Sequence, residues 1–259
     1  QILYRREGAV EVVTLNRPES KNSFSFHMIK ELGDHFQSLA LDDEVRAVII
    51  TGAGKGFATG ADLSGPDNRK DIVLPVGMRL TTQWYGRVAE SIMNLEKPVI
   101  GAINGVAAGA GCNLALSCDI IIASEKASFI QIFARRGLIA DMGGTFFLPR
   151  LIGLARAKEL LFTADEVDAR KALDLGMINK VVPHEELMPA AMELAQRLAK
   201  GPTRAIGMLK NMLNRSFESD LSTALDREAA LQGIAVSTND VKEGIVSFFE
   251  KRPPNFTGS

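Results

Sequence analysis

The sequence predicts an α/β fold in which most strands pair in parallel. Three short apolar runs are predicted to be buried strands: VRAVIITG at 45–52, KPVIGAING at 97–105 and DIIIAS at 119–124. Two longer segments, at 25–43 and 76–96, have apolar residues at helical spacing. Strands that alternate with helices in this way are typical of βαβ units, which place parallel strands in one sheet.

A change of pattern divides the chain into a core at residues 1–200 and a helical C-terminal region at 201–259. The core begins with two predicted strands around the turn Glu7-Gly8. Gly201-Pro202 separates two predicted helices, and Pro253-Pro254 ends the last one. The C-terminal helices carry Leu, Met, Ile and Phe on more than one face. They are therefore expected to pack either back on the core or against another subunit.

The composition excludes several classes of function. Of 259 residues, 46% are hydrophobic and 24% are charged, which is ordinary for a globular protein with a sizeable core. A net charge of −1 provides no basic excess for nucleic acid or an anionic membrane, and the longest apolar runs are too short to span a bilayer. The N-terminal QILYRREGAV lacks the features of a signal peptide. Cys112 and Cys118 are too few for a metal site or a disulfide framework, so we expect reduced core thiols in a cytoplasmic protein.

Two glycine-rich stretches follow predicted strands: GAGKGFATGADL at 52–63 and GVAAGAGCNLAL at 105–116. Neither has the residue spacing of a P-loop or of a dinucleotide-binding loop. Small residues let a backbone approach a ligand closely, and a helix that begins near Gly109 leaves its first N–H groups without helical partners. Two such loops can direct two N–H groups at one carbonyl oxygen, which is an oxyanion hole. Tight packing of strand on helix is the alternative for each loop.

One acid lies in apolar surroundings, in GLIADMGGTFFLPRLIG at 137–153. Asp141 has two interpretations there: it caps the following helix, or it is a catalytic carboxyl kept in a dry place despite the cost of burial. The sequence contains no G-x-S-x-G nucleophile elbow and no metal-binding spacing. His27, His35 and His184 are expected to be solvated side chains without partners.

Three motifs, in order along the chain, resemble the enoyl-CoA hydratase/isomerase (crotonase) superfamily: GFATGADL, KPVIGAINGVAAGAGCNLALSCDIIIAS and GLIADMGGTFFLPRLIG. The resemblance extends from TLNRPESKNSFS to the tail FFEKRPPNFTG, which is essentially the whole chain. It implies a crotonase-like spiral of ββα units with a helical C-terminal oligomerisation region, assembled as a homotrimer or a hexamer. It also implies an acyl-coenzyme A substrate, with no separate cofactor and no metal.

The resemblance assigns site residues by position. The family's oxyanion hole corresponds to the backbone N–H groups of Ala61 and Ala110. The segment from Ser64 to Pro75, together with Trp84 and Tyr85, is expected to shape the acyl pocket. The backbone from Ala58 to Asp62 corresponds to the adenine site, and Lys21 in RPESKNS corresponds to a phosphate contact. The full set of implied substrate- and coenzyme A-binding residues is Lys21, Ala58, Gly60, Asp62, Gly109, Asn113 and Phe133.

Two acids that hydratases of this family carry are absent, because Asn113 and Phe133 occupy their positions. Hydration needs a water molecule held and deprotonated and a proton delivered to the neighbouring carbon, and two carboxylates serve these needs. A double-bond shift needs one base. Family members that isomerise acyl-CoA intermediates of phenylacetyl-CoA degradation, with epoxide-derived or ring-opened acyl groups, carry an acid at the position of Asp141. The resemblance therefore predicts an enoyl-CoA isomerase with Asp141 as its proton carrier.

The sequence leaves three other functions open. The chain is alternatively a hydratase in which Asp141 activates water unaided, or a dehalogenase-type enzyme with Asp141 as nucleophile. The third alternative is a crotonase-like binding protein without activity. The pKa of Asp141 is open as well: Phe133, Leu138, Ile139 and Met142 are expected to raise it by desolvation, and the following helix start to lower it.

Overall fold

A computed structural model describes residues 1–62 and 75–259. The larger sheet consists of β1 (Ile2–Glu7), β2 (Val10–Leu15), β3 (Ala47–Gly52), β5 (Val99–Ile103), β7 (Ile120–Ser124) and β10 (Lys180–Val182). Its order is β1-β2-β3-β5-β7-β10. The β1–β2 hairpin is antiparallel, and the other neighbouring pairs are parallel. The predicted α/β fold with largely parallel pairing is confirmed.

A second sheet was not predicted strand by strand. It consists, in this order, of β4 (Gly56–Ala58), β6 (Val106–Ala108), β8 (Ser128–Ile130) and β9 (Glu166–Asp168). The first three of these strands each follow a strand of the larger sheet, so the chain alternates between the two sheets. A strand of three residues is too short to show a period in the sequence. Strand pairs followed by a helix form the ββα units that the resemblance implies.

The described residues form ten α-helices, which connect the strands and build the C-terminal region. They are α1 (Phe26–Leu39), α2 (Pro75–Asn94), α3 (Ala110–Leu116), α4 (Gly144–Ile152), α5 (Leu154–Thr163), α6 (Ala169–Asp174), α7 (Leu187–Ala199), α8 (Thr203–Asn214), α9 (Leu221–Ala235) and α10 (Asn239–Glu250). Ser25 caps α1, because its hydroxyl accepts the N–H of Met28 at 3.1 Å. None of the helices in the described ranges is long and apolar enough to cross a membrane.

Both faces of the larger sheet are covered, as parallel sheets require. Ile50 points towards the main core, which also contains buried side chains of α1 and α2 such as Phe36 and Ile92. Its neighbour Ile49 points to the opposite face, where Ala195 and the other buried alanines of α7 pack against it. Successive strand residues face opposite ways, so one strand serves both layers. The sheet is therefore a rigid support for the loops at its ends.

The C-terminal helices are attached to the core by polar contacts as well as by packing. Gly201-Pro202 separates α7 from α8, as predicted. From α8, the Nζ of Lys210 donates to the carbonyl oxygen of Ile92 at 2.8 Å and forms an ion pair with Asp119 at 2.7 Å. Both partners lie in the core region. The division of the chain at residue 200 stays a prediction.

Candidate active site

An apolar cavity opens at the carboxyl ends of β4, β6 and β8, where the start of α1 and one side of α2 complete its wall. Most of the predicted site residues line it, namely Gly60, Ala61, Asp62, Gly109, Ala110, Phe133 and Asp141. These residues come from three separate stretches of the chain. The fold brings them together because the three strands are neighbours in the second sheet.

Asp141 is largely buried in this wall, just before α4. Its Oδ1 atom is buried and has no hydrogen-bond partner among the described residues. The N-cap of α4 is Gly143, and no side chain among the described residues caps that helix. The interpretation of Asp141 as a helix cap is therefore wrong. Its backbone carbonyl accepts the N–H of Gly144 at 2.9 Å, and the residue lines the cavity.

Burial raises the pKa of Asp141 to about 7, and the nearby N–H of its own backbone opposes this rise. Desolvation thus dominates the balance that the sequence left open. Phe133 and Leu138 line the same cavity and Met142 is buried, as the desolvation argument expects. Ile139 was wrongly included, because its side chain is 89% exposed and removes no water from the acid.

The backbone amides of Ala61 and Ala110 lie close to one another on the cavity wall. A Cβ built on Gly60 would lie 3.1 Å from the carbonyl oxygen of Ala108 and 3.3 Å from the nitrogen of Ala110, so the two loops are in contact. Ala110 is the first residue of α3, where an N–H has no acceptor within the helix. The backbone hydrogen bonds that pair Ala61 with Phe24 are donated by the N–H groups of Phe24 and Asp62. The N–H of Ala61 itself takes no part in this pairing. This geometry suits two donors to one oxygen atom.

Glycine is required at both turns that present these amides. Gly60 has φ +78°, and Gly109 has φ +56° and ψ −127°. Residues with a Cβ rarely adopt such a backbone. At Gly109 a Cβ would also lie 3.2 Å from Cγ2 of Ile132. The two glycines therefore set the direction of the peptide groups that follow them.

Three of the implied coenzyme A-binding residues differ in how accessible they are to a ligand. The carboxylate of Asp62 lines the cavity and forms an ion pair with Arg17 at 2.7 Å. Lys21 is exposed, and its carbonyl oxygen accepts the hydroxyl of Thr59 at 3.4 Å. Ala58 is fully buried in β4, so it offers a ligand no accessible backbone in this structure. Lys21 is open to a phosphate group, whereas Ala58 acts in packing.

Asn113 does not reach the cavity. It is fully buried within α3, behind the wall, and its side-chain amide contacts the backbone of Asp141. It is therefore not placed to touch a substrate, contrary to the implied binding role. Phe133 is buried too, but its ring forms part of the cavity wall.

The cavity has more aromatic walls than the sequence predicted. Trp84 and Tyr85 line it as expected, and Phe24 and Phe26 join them from the segment before and at the start of α1. Arg136 is exposed at the edge of the cavity. The sequence indicates the two additional aromatic residues only in part. NSFSF places them at alternate positions, but nothing in the sequence relates them to Asp141.

All three histidines lie near a polar side chain, which corrects the expectation that they have no partners. The Nε2 of His35 lies 3.0 Å from a carboxylate oxygen of Glu11, and its ring stacks on Tyr4 with centroids 3.9 Å apart. The Nδ1 of His184 is 3.0 Å from the hydroxyl oxygen of Ser124. None of the three histidines lines the cavity, and His27 is exposed as expected, with its Nε2 3.7 Å from a carboxylate oxygen of Glu31.

The remaining predictions concern cysteines, metals and the pocket loop. Cys112 and Cys118 are buried and free, as expected. Within residues 1–62 and 75–259, no three His, Cys, Asp or Glu side chains are arranged to hold a metal ion. The pocket segment predicted from Ser64 to Pro75 lies, apart from Pro75 itself, outside the described residues.

This fold and this site define a class of enzyme. The chain matches the model of the enoyl-CoA hydratase/isomerase family over residues 5–259 and therefore belongs to that family. Its structure aligns with the crystal structure of an enoyl-CoA hydratase from Bacillus anthracis with a TM-score of 0.94. That alignment has 34% identity and covers 100% of this chain and 99% of the other. The fold is the crotonase fold.

Curated relatives with different activities are similar to this chain along its whole length. It is 42% identical to the 1,2-epoxyphenylacetyl-CoA isomerase of Escherichia coli, over 99% of this chain and 98% of that protein. It is 40% identical to the short-chain-enoyl-CoA hydratase of Clostridium acetobutylicum, over 97% of this chain and 95% of that protein. Family membership alone therefore does not distinguish isomerisation from hydration.

Proposed function

We propose that this protein is an acyl-CoA isomerase in which Asp141 moves a proton along an unsaturated acyl chain. The observation that carries the proposal is a buried carboxyl, with one oxygen unpartnered among the described residues, in the same apolar cavity as two backbone amides. The substrate is an enoyl-CoA thioester, and coenzyme A enters only as part of it. The 42% identical isomerase of epoxyphenylacetyl-CoA supports this choice.

The reaction follows from the geometry in two proton transfers. The thioester oxygen accepts the N–H groups of Ala61 and Ala110, which stabilise negative charge on that oxygen. The carboxylate of Asp141 removes a proton from C2 of a β,γ-enoyl chain, and the electron pair spreads over the carbonyl oxygen, C2 and C4. The protonated acid then returns the same proton to C4. The double bond moves from C3–C4 to C2–C3, and no atom is gained or lost.

The pKa of Asp141 suits both transfers. A group with a pKa of about 7 is a base and an acid of comparable strength near neutral pH, which is the best condition for a proton carrier. A carboxyl group with an ordinary pKa accepts a carbon-bound proton less readily. Burial in the cavity is the main cause of this raised pKa.

We expect the activity to depend on the ionisation of this single group. Because the carboxylate form must accept the first proton, kcat/KM should rise with pH and level off above about 7. Below pH 6 it should fall about tenfold for each pH unit. Steady-state rates in buffers from pH 5 to 9 measure this profile. A flat profile between pH 5 and 8 would remove Asp141 from the role of base.

The absorbance of the enoyl thioester distinguishes isomerase from hydratase. Isomerisation of a β,γ-enoyl-CoA creates the conjugated enone thioester, so absorbance should increase with no change in mass. Hydration of an α,β-enoyl-CoA would destroy the conjugation and add one water molecule. We expect the first reaction to be faster by at least about 10²-fold, because Asn113 and Phe133 replace the two acids that hydratases of this family carry. Faster hydration would establish the alternative, in which Asp141 activates water.

The lining of the cavity favours a cyclic or conjugated planar acyl group. Phe24, Phe26, Trp84, Tyr85 and Phe133 all contribute to its walls. Aromatic rings pack well against flat unsaturated groups, in stacked or edge-to-face arrangements. A ring-derived acyl-CoA should therefore show a lower KM than a straight-chain enoyl-CoA of the same carbon number.

Two further alternatives predict different experimental results. A nucleophilic Asp141 would leave an acyl adduct on the protein, which mass spectrometry of the quenched enzyme detects. A binding protein without activity would turn over no acyl-CoA. The buried carboxyl group and the two adjacent amides support an enzyme over a binding protein.

We also propose that the chain assembles as a trimer or a hexamer through its C-terminal helices. Large apolar side chains are exposed on these helices and on the turn between α8 and α9, among them Leu213, Phe217, Phe248 and Phe249, the last two at 78% and 77%. Exposed apolar patches of this kind usually mark protein interfaces. A monomer in sedimentation equilibrium at micromolar concentration would contradict this.

The free buried thiols are compatible with a cytoplasmic location, which we likewise propose.

A further inference from the structure

A fully buried amide holds the main chain at Asp141. The Nδ2 of Asn113 donates to the carbonyl oxygen of Asp141 at 2.9 Å. The Oδ1 of the same side chain accepts the Nε2 of Gln131 at 2.7 Å, and Gln131 is itself 2% exposed. Because the Nε2 donor of Gln131 faces the Oδ1 of Asn113, the Nδ2 of Asn113 must point towards Asp141.

The segment that follows Asp141 needs such support. Met142 has φ +45° and Gly143 has φ +77°, so two consecutive residues adopt left-handed conformations. For Met142, which has a Cβ, this conformation is unfavourable. Gly144 comes so close to Asn113 that a Cβ would lie 2.4 Å from its Nδ2 atom. The turn and the amide are therefore packed as one unit.

We propose that Asn113 is a positioning residue for Asp141: its amide, oriented by Gln131, fixes the main chain so that the carboxyl group faces the cavity. This inference rests on the proposed role of Asp141. It also gives a physical reason for the missing acid at position 113. A carboxylate there would direct negative oxygen at the carbonyl oxygen of Asp141, whereas an amide donates to it.

The chemistry at the carboxyl group depends on this arrangement. The carbonyl oxygen of Asp141 accepts two hydrogen bonds, from Asn113 and from the N–H of Gly144, while the carboxyl oxygen Oδ1 accepts none from the described residues. The main chain is thus held while the carboxyl group stays in apolar surroundings. Loss of the first bond would let the turn relax and the carboxyl group reach water.

Two variants test the inference. Asn113→Ala removes the donor, and we expect kcat to fall about 10–100-fold with KM changed less than about threefold, because misplacement by about 1 Å costs this much. Gln131→Met keeps the volume and removes only the group that orients Asn113, so a smaller loss in kcat is expected. Since both act through one carbonyl group, the double variant should lose no more than Asn113→Ala alone.

A second measurement separates positioning from a merely structural role and from failure of the proposed function. The ¹³C signal of the Asp141 carboxyl group, assigned by its loss in Asp141→Asn, can be titrated by NMR without any substrate. In Asn113→Ala the midpoint should move from about pH 7 towards lower pH, as the group becomes solvated. An unchanged midpoint and an unchanged kcat in both variants would overturn the inference. If the midpoint moves but Asp141→Asn retains full turnover, the positioning stands and the proposed function fails.

Discussion

Replacement of Asp141 by Asn is expected to reduce kcat for isomerisation by on the order of 10³-fold or more. The amide has nearly the same shape but can neither accept the C2 proton nor return it to C4, and general acid–base catalysis contributes about 10²–10⁴-fold. Affinity for a saturated acyl-CoA should be unchanged, because the amides of Ala61 and Ala110 remain in place. Stopped-flow or steady-state absorbance gives kcat, and calorimetry gives the affinity.

Two controls accompany this prediction. Asp174→Asn makes the same chemical change at an exposed position outside the cavity and should leave kcat unaffected. Stability provides the second control. A carboxyl group whose pKa is raised in the folded state destabilises the fold where it is ionised, so the penalty is absent below about pH 4 and complete above about pH 7. Asp141→Asn should therefore increase the free energy of unfolding at pH 8, by on the order of 1–4 kcal/mol. A stable variant with full turnover would show that the chemistry lies elsewhere.

Replacement of Gly60 by Ala is expected to reduce kcat by about 10²–10³-fold, through displacement of the Ala61 amide. The added methyl group would lie 3.1 Å from the carbonyl oxygen of Ala108 and 3.3 Å from the nitrogen of Ala110. The positive φ of Gly60 adds backbone strain, so the peptide group must rotate away. Loss of one donor from an oxyanion hole typically has an effect of this size. The rate with a β,γ-enoyl-CoA measures it.

Gly8→Ala is the matched control for this variant. Gly8 also has a positive φ, +59°, but a Cβ there would meet no atom of the described residues within 4 Å, and Gly8 lies in the β1–β2 turn. The two variants thus share a comparable backbone strain, and only one of them touches the amides. Similar losses of stability with different losses of kcat would support the oxyanion hole. Equal kcat in the two variants would contradict it.

The longer strands and helices were predictable because their pattern of apolar residues extends over five or more positions. Three central strands of the larger sheet, β3, β5 and β7, lie in apolar runs of five or six residues, and α1 and α2 show helical spacing over 14 and 20 residues. The three-residue strands of the second sheet have no such repetition. Two of them, β4 and β6, lie within the glycine-rich stretches, where small residues also suit loops. Their pairing depends on neighbours far along the chain.

Most residues that line the cavity were predictable from the sequence, but their contacts were not. Motif positions identified Asp141 and the loops of Ala61 and Ala110. The sequence could not decide between cap and catalyst, because that depends on the left-handed turn at Met142 and Gly143. Nor could it show that Asn113 faces the main chain of Asp141, 28 positions away. Such facts are properties of the packed structure.

The alternation of the chain between two sheets also has a kinetic consequence. The two amides and the acid are separated by 30 or more positions in the sequence, so no local segment contains a working centre. Contacts between distant segments form late, because closing long loops costs entropy before it is repaid. During refolding, catalytic competence should therefore return with the slowest phase, well after most helical signal has recovered.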